Sequence, residues 1–157
     1  EVHAFEPDPW TVEELRRNTQ DLLNVKVIAA AAVTEEGVLP LYRHEAYDGD
    51  QLKRSLSSSL VAEKKNIDTA QSIEVPVVDT LAYIERLNAD IGVLKIDIEG
   101  AEVALLEALF ASPTLKRIDA IFCETHEVKI PALAARTEAL RKRAKEIEHP
   151  LVNLDWY

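Results

Sequence analysis

The sequence predicts an α/β fold with a largely parallel sheet, and three observations predict it. Short apolar runs alternate with amphipathic stretches along the chain, the pattern of strands joined by crossover helices. Three of those runs end on acidic residues, at Glu6, Asp97 and Glu124, and in open α/β sheets ligands bind beyond the carboxyl ends of the strands. The chain has 157 residues, of which 47% are hydrophobic, enough for one domain with a buried core.

The elements follow in order. Residues 2–5 read as a short strand. Asp8 can cap a helix that begins at Pro9, with Val12, Leu15, Thr19 and Leu22 recurring at helical spacing. Residues 25–33 are apolar except for Lys26, which predicts one strand buried on both faces. Glu36-Gly37 is a turn, and residues 38–42 return as an antiparallel strand. Residues 43–72 are polar, with the run Ser55-Leu56-Ser57-Ser58-Ser59 and the turn signal Asp48-Gly49. They predict a long loop or flap, a feature that is often functional. Residues 73–78 form another strand, where Pro76 points to an edge position. Asp79 or Thr80 caps a helix carrying Leu81, Ile84 and Leu87. Residues 91–98 form a strand, and Asp97 or Glu99 leads into a helix through Val103, Leu106 and Phe110, with Pro113 just past its end. Residues 118–125 are a further strand. Pro131 opens a helix with Leu133, Thr137, Leu140, Ala144 and Ile147 on one face, and residues 149–157 supply a short final strand. No repeat or linker interrupts the series.

Composition narrows the function. The net charge is −10, which disfavours nucleic acid and anionic membranes as partners. One cysteine leaves no disulfide framework within the chain and no Cys-rich zinc site. No apolar run approaches the ~20 residues of a membrane span, and no targeting segment is legible, so a cytoplasmic location is expected. The four glycines, the absence of methionine and an opening that reads like the inside of a strand predict that further residues precede Glu1.

Three strand tips carry the candidate chemistry. Asp8 is explained as a helix cap, but Glu6 precedes the cap, and a carboxylate at this place can accept hydrogen bonds from ribose hydroxyls. Strand alternation puts Lys95, Asp97 and Glu99 on one face. A charged lysine within a buried strand needs a partner, and Asp97 and Glu124 are the natural ones. Glu102 reads as favouring the N-terminal helix dipole. Glu124 and His126 share a face beside Lys95 and Asp97 if their strands are neighbours, and His126 suits general-base work near neutral pH. Cys123 points the other way, into the core. Ala29 to Ala32 could leave room for a flat adenine or serve helix packing. The hydroxyls of Ser57, Ser58 and Ser59 could reach a ligand or belong to a solvated loop. Asp97, Glu99, Glu124 and His126 could hold a hard divalent cation; their spacing is not diagnostic, and no metal is expected.

Together, Val2-His3-Ala4-Phe5-Glu6-Pro7-Asp8-Pro9, Lys95-Ile96-Asp97-Ile98-Glu99-Gly100-Ala101-Glu102 and Cys123-Glu124-Thr125-His126-Glu127 resemble the FkbM family of S-adenosylmethionine-dependent methyltransferases. The first two segments are the specific ones; residues 75–81 and the Ser-rich segment add weaker support. The resemblance implies a class I methyltransferase (Rossmann-like) three-layer sandwich, with helices on both faces of a seven-stranded, mostly parallel sheet. It implies O-methylation of a hydroxyl on a small molecule, sugar or natural product. Carried over, Glu6 would hold the cofactor ribose. Asp97 would face the methyl group or the acceptor, serving both cofactor and catalysis. Lys95 and His126 would act beside it, with Glu99 and Glu124 on the substrate side.

One departure stands out. Such enzymes begin with a strand and a Gly-rich turn that brings backbone N–H groups to the cofactor's methionine end. None of Gly37, Gly49, Gly92 or Gly100 lies ahead of the first strand here. The expectation is a single methyltransferase-like domain, N-terminally incomplete, that can fall short of activity by itself. Two unpaired strand edges would then offer a route to self-association. Two other readings stay open: a non-catalytic α/β binding or assembly module, and a fragment of a nicotinamide-dependent dehydrogenase.

Overall fold

Among the described residues the strands divide among three small sheets, and every strand pairing but one is parallel. The computed structural model describes residues 1–44, 58–65 and 67–156. In the first sheet β1 (Val2–Phe5) runs parallel to β2 (Val25–Ile28). The crossover is α1 (Pro9–Thr19). Its cap is the Asp8 carboxylate, which accepts the Trp10 N–H at 2.9 Å, and Pro9 occupies the first turn, where no N–H is needed. The helix buries Val12 and stops at Thr19, so Leu22 lies beyond its apolar face and is 51% exposed.

The apolar run at residues 25–33 is two strands, not one buried on both faces. The Ala30 N–H turns back onto the Ile28 carbonyl at 2.9 Å, a tight turn that ends the ladder. β3 (Ala31–Val33) then joins a different sheet, parallel to β5 (Ile67–Asp79). β4 (Gly37–His44) pairs with the other side of β5 in antiparallel register. β5 is thus a central strand, although Pro76 predicted an edge. The pairing with β3 covers only Val77 to Asp79. At Pro76 the strand is flanked by β4 alone, so no ladder bond is lost to the missing N–H.

The flap expected at residues 43–72 is shortened from both ends by β4 and β5. Residues 58–65 return against the sheet, where Tyr42 and Ser59 exchange two backbone hydrogen bonds of 2.8 and 2.9 Å. Asp48-Gly49 and Ser55 to Ser57 lie outside the described residues.

The third sheet holds most of the core. α2 (Thr80–Arg86) is capped by Asp79, whose carboxylate accepts the Ala82 N–H at 3.1 Å. Then come β6 (Ile91–Ile96), α3 (Glu102–Ala111), a 3₁₀ turn (Pro113–Arg117) and β7 (Ile118–Cys123). A second 3₁₀ turn (Pro131–Leu133), α4 (Ala134–Ala144) and β8 (Leu151–Asn153) complete the chain. The order is β6-β7-β8, all parallel. α3 is apolar on nearly every side and buries Val103, Leu105, Leu106, Leu109 and Phe110, as a helix enclosed by its neighbours does. Leu106, Leu109, Ile118 and Ile121 are fully buried, each contributing about 1.5–3 kcal/mol over an exposed side chain.

β1 and β6 each keep one edge that pairs with no strand among the described residues. Their carboxyl ends nevertheless line one cavity. Among the described residues no helix is long and apolar enough to cross a membrane.

Candidate active site

The cavity measures about 380 Å³, within the range of small-molecule sites. Its walls are the β1 tip (Phe5, Glu6, Pro7), Ala31 and Ala32 of β3, Leu41 of β4, the returning segment at Ser58 to Leu60, and the β6 tip from Lys95 to Ala101. Four expected site residues, Glu6, Lys95, Asp97 and Glu99, therefore meet around one space. Glu124 and His126 do not line it.

Glu6 is partly buried, and its Oε1 accepts the Asp8 N–H at 2.8 Å. Burial pushes its carboxyl up to about 7; the Asp8 N–H opposes this and the Asp8 charge adds to it. Asp8 itself is spent on the helix cap, as expected.

β6 ends at Ile96, two residues earlier than expected, so Asp97 and Glu99 leave the strand and sit in the loop before α3. Lys95 is half exposed rather than buried. Its Nζ lies 3.2 Å from Asp97 Oδ2 and 4.8 Å over the Trp156 ring, and among the described residues it forms no ion pair with Glu124. An exposed pair of this kind adds about 0–1 kcal/mol, so Lys95 needs no partner to offset a desolvation cost.

The loop is strained. Glu99 has φ 51° and Gly100 has φ 114°. The first is a left-handed conformation that costs a residue with a Cβ about 1–2 kcal/mol. At Gly100 a Cβ would run into the Ile130 side chain. The strain turns Glu99 inward, with Oε2 2.7 Å from the buried Lys64 Nζ and 3.4 Å from Lys129 Nζ. Ser59 Oγ donates to the Glu99 carbonyl at 2.6 Å and holds the turn from the other side.

Glu102 is the residue the sequence reading undervalued. It is fully buried. Its Oε2 accepts the Gly100 N–H at 2.7 Å, and its Oε1 accepts the His126 N–H at 3.0 Å and faces His126 Nδ1 at 3.3 Å. It is a tie between the loops after β6 and β7, not a dipole partner alone. Its place at the start of α3, two residues after Gly100, was visible; its partner at His126, 24 positions away, was not.

His126 lies behind Asp97 and Glu99, with its side chain 1% exposed. Burial lowers its affinity for a proton, but the Glu102 hydrogen bond and charge, with Glu99, outweigh burial and raise it overall. Its Nε2 has no hydrogen-bond partner. It faces Glu99 Oε2 at 3.4 Å, Glu124 Oε1 at 3.6 Å and Asp97 Oδ1 at 3.9 Å. The expected neighbourhood of β6 and β7 is therefore real. Cys123 is buried in the core as expected, and burial pushes its thiol far above the usual range.

The family model of the methyltransferase FkbM domain matches residues 1–147. No curated protein and no solved structure gives a significant match.

Proposed function

Because the chain belongs to the FkbM methyltransferase family, we propose that it binds S-adenosylmethionine in this cavity and methylates a hydroxyl of a small molecule, sugar or natural product. The observation that carries the reading is the placement of Glu6 and Asp97 on one cavity, each at the carboxyl end of a parallel strand. The same placement supports a Rossmann-like three-layer sandwich, with helices on both faces of a mostly parallel sheet.

The residues present fit the nucleoside half of the cofactor. The Glu6 carboxylate can accept from two ribose hydroxyls, and Ala31 and Ala32 leave a flat wall for a base. Among the described residues none is assigned to the methionine end. When bound, the cofactor supplies an electrophilic methyl group. Asp97, exposed at the rim, orients the acceptor hydroxyl and takes its proton as the new bond to oxygen forms. Holding the two reactants in line supplies most of the acceleration. Glu99 and Glu124 support the acceptor side. His126 acts through the carboxylates in front of it, and Lys95 holds Asp97 in place through their 3.2 Å ion pair.

Calorimetry of the full chain with S-adenosylhomocysteine tests the reading. Binding with a 1:1 stoichiometry is expected; no heat and no thermal shift at about 1 mM ligand, a binding free energy weaker than about −4.1 kcal/mol, overturns it. A screen of hydroxylated acceptors with labelled cofactor then identifies the substrate.

A further inference from the structure

We propose that Asp97, Glu99, Glu124 and His126 form a site for a divalent first-row transition cation such as Mn2+, with His126 Nε2 as the nitrogen ligand. The acidic cluster alone would not carry this. The second observation is His126, 1% exposed, with an unpartnered Nε2 aimed at three carboxylates from 3.4 to 3.9 Å away.

The ring is held for this task. Glu102 faces Nδ1 at 3.3 Å and also accepts the His126 backbone N–H. A carboxylate on one ring nitrogen fixes the tautomer and turns the other nitrogen outward, as in carboxylate–histidine–metal sites. With the Nδ1 proton toward Glu102, the Nε2 lone pair faces negative oxygens, and a positive centre between them, a cation or a proton, satisfies both sides. The spacing suits one. With metal–ligand bonds near ~2.2 Å, neighbouring ligand atoms of an octahedron lie ~3.1 Å apart and opposite ones ~4.4 Å apart. The nearest ligand atoms of Asp97, Glu99 and His126 all lie within 4.8 Å of one another; Glu124 lies outside that set, with its Oε1 3.6 Å from His126 Nε2.

Three lysines stand around the cluster without closing it. Lys95 takes Asp97 Oδ2 and leaves Oδ1 toward the histidine. Lys64 and Lys129 share Glu99 Oε2, the oxygen that also faces His126 Nε2, so Glu99 would ligate the cation through its second oxygen. One imidazole among carboxylates favours Mn2+ or a later first-row ion over Mg2+. Asp97 and Glu99 also line the cavity, so a cation held by them is accessible to oxygen ligands entering it. If the cavity binds a hydroxylated acceptor, as proposed above, the cation would grip that hydroxyl; this last step alone rests on that reading.

The test is Mn2+ titration of the full chain after EDTA stripping, followed by electron paramagnetic resonance. About one tightly held Mn2+ per chain is expected, with nitrogen modulation from an imidazole ligand in the pulsed spectrum. Asp97→Asn and Glu124→Gln should each weaken binding at least about 10-fold, and Glu102→Gln by about 10–100-fold. If Glu102→Gln fails to fold, the wild-type nitrogen signal and Glu124→Gln decide. No stoichiometric uptake, uptake without nitrogen modulation, or uptake unchanged in Asp97→Asn overturns the proposal; a merely protonated Nε2 gives the first of these. Binding of S-adenosylhomocysteine to the same stripped sample reports separately on the methyltransferase reading.

Discussion

The tips of β1 and β6 present carboxylates to the same cavity from opposite kinds of surroundings. At β1, Glu6 has one backbone N–H and the Asp8 charge beside it, and among the described residues no ion pair. At β6, Asp97 and Glu99 are surrounded by Lys64, Lys95, Lys129 and His126 within 4 Å, over a fully buried Glu102. The difference teaches that carboxylates of one cavity can be built for opposite tasks. Glu6 is left short of partners, so a neutral hydroxyl ligand can supply them. The β6 cluster is cross-linked by its own ion pairs and by Glu102 beneath it.

Breaking the cross-linked side should have the largest effect. Glu102→Ala strands two backbone N–H groups and the His126 ring in a buried space, and a loss of about 3–5 kcal/mol in urea unfolding is expected. A loss under about 1 kcal/mol, the range of an exposed pair, would erase the contrast. Gly100→Ala comes next. It forces a Cβ into a positive φ and against Ile130, and should cost about 2–4 kcal/mol from strain and overpacking together.

The open side should answer in binding rather than stability. Glu6→Gln should weaken S-adenosylhomocysteine about 10–100-fold in calorimetry, the worth of hydrogen bonds to a charged group, and should leave the fold standing. The pH dependence sharpens this. The Glu6 carboxyl titrates near 4.5 when unfolded and about 7 when folded, so between those values the native state holds the extra proton. Its contribution to stability is full below 4.5 and is lost as pH rises through about 7. Ligand affinity should move the opposite way, rising as Glu6 ionises through about 7. Glu6→Gln should flatten both trends; unchanged profiles would remove Glu6 from the site. The smallest effect belongs to Lys95→Gln, whose exposed pair with Asp97 should shift stability by less than about 1 kcal/mol.

What was legible in the sequence was local. The Asp8 cap isolates Glu6 by a rule that spans three residues, and β6 and β7 are adjacent because parallel crossovers place sequential strands together. What was hidden depends on distant or backbone partners. Residues 25–33 read as one strand because alanine gives no turn signal, and the break rests on a single N–H at Ala30. Lys95 read as buried because β6 looks apolar throughout, whereas Val93 is 63% exposed on that strand. The left-handed turn at Glu99 carries no residue that announces it. Glu102 is ordinary for a helix start until Gly100 and His126 are folded onto it.

The lone cysteine offers a last consequence. Cys123 ends β7 with no exposed surface, and its burial holds the thiol protonated far above neutral pH. An alkylating reagent can reach it only when the β6-β7-β8 sheet opens. The rate of modification at this single atom is therefore a clock for the rarest openings of the core, with no other thiol in the chain to blur the count.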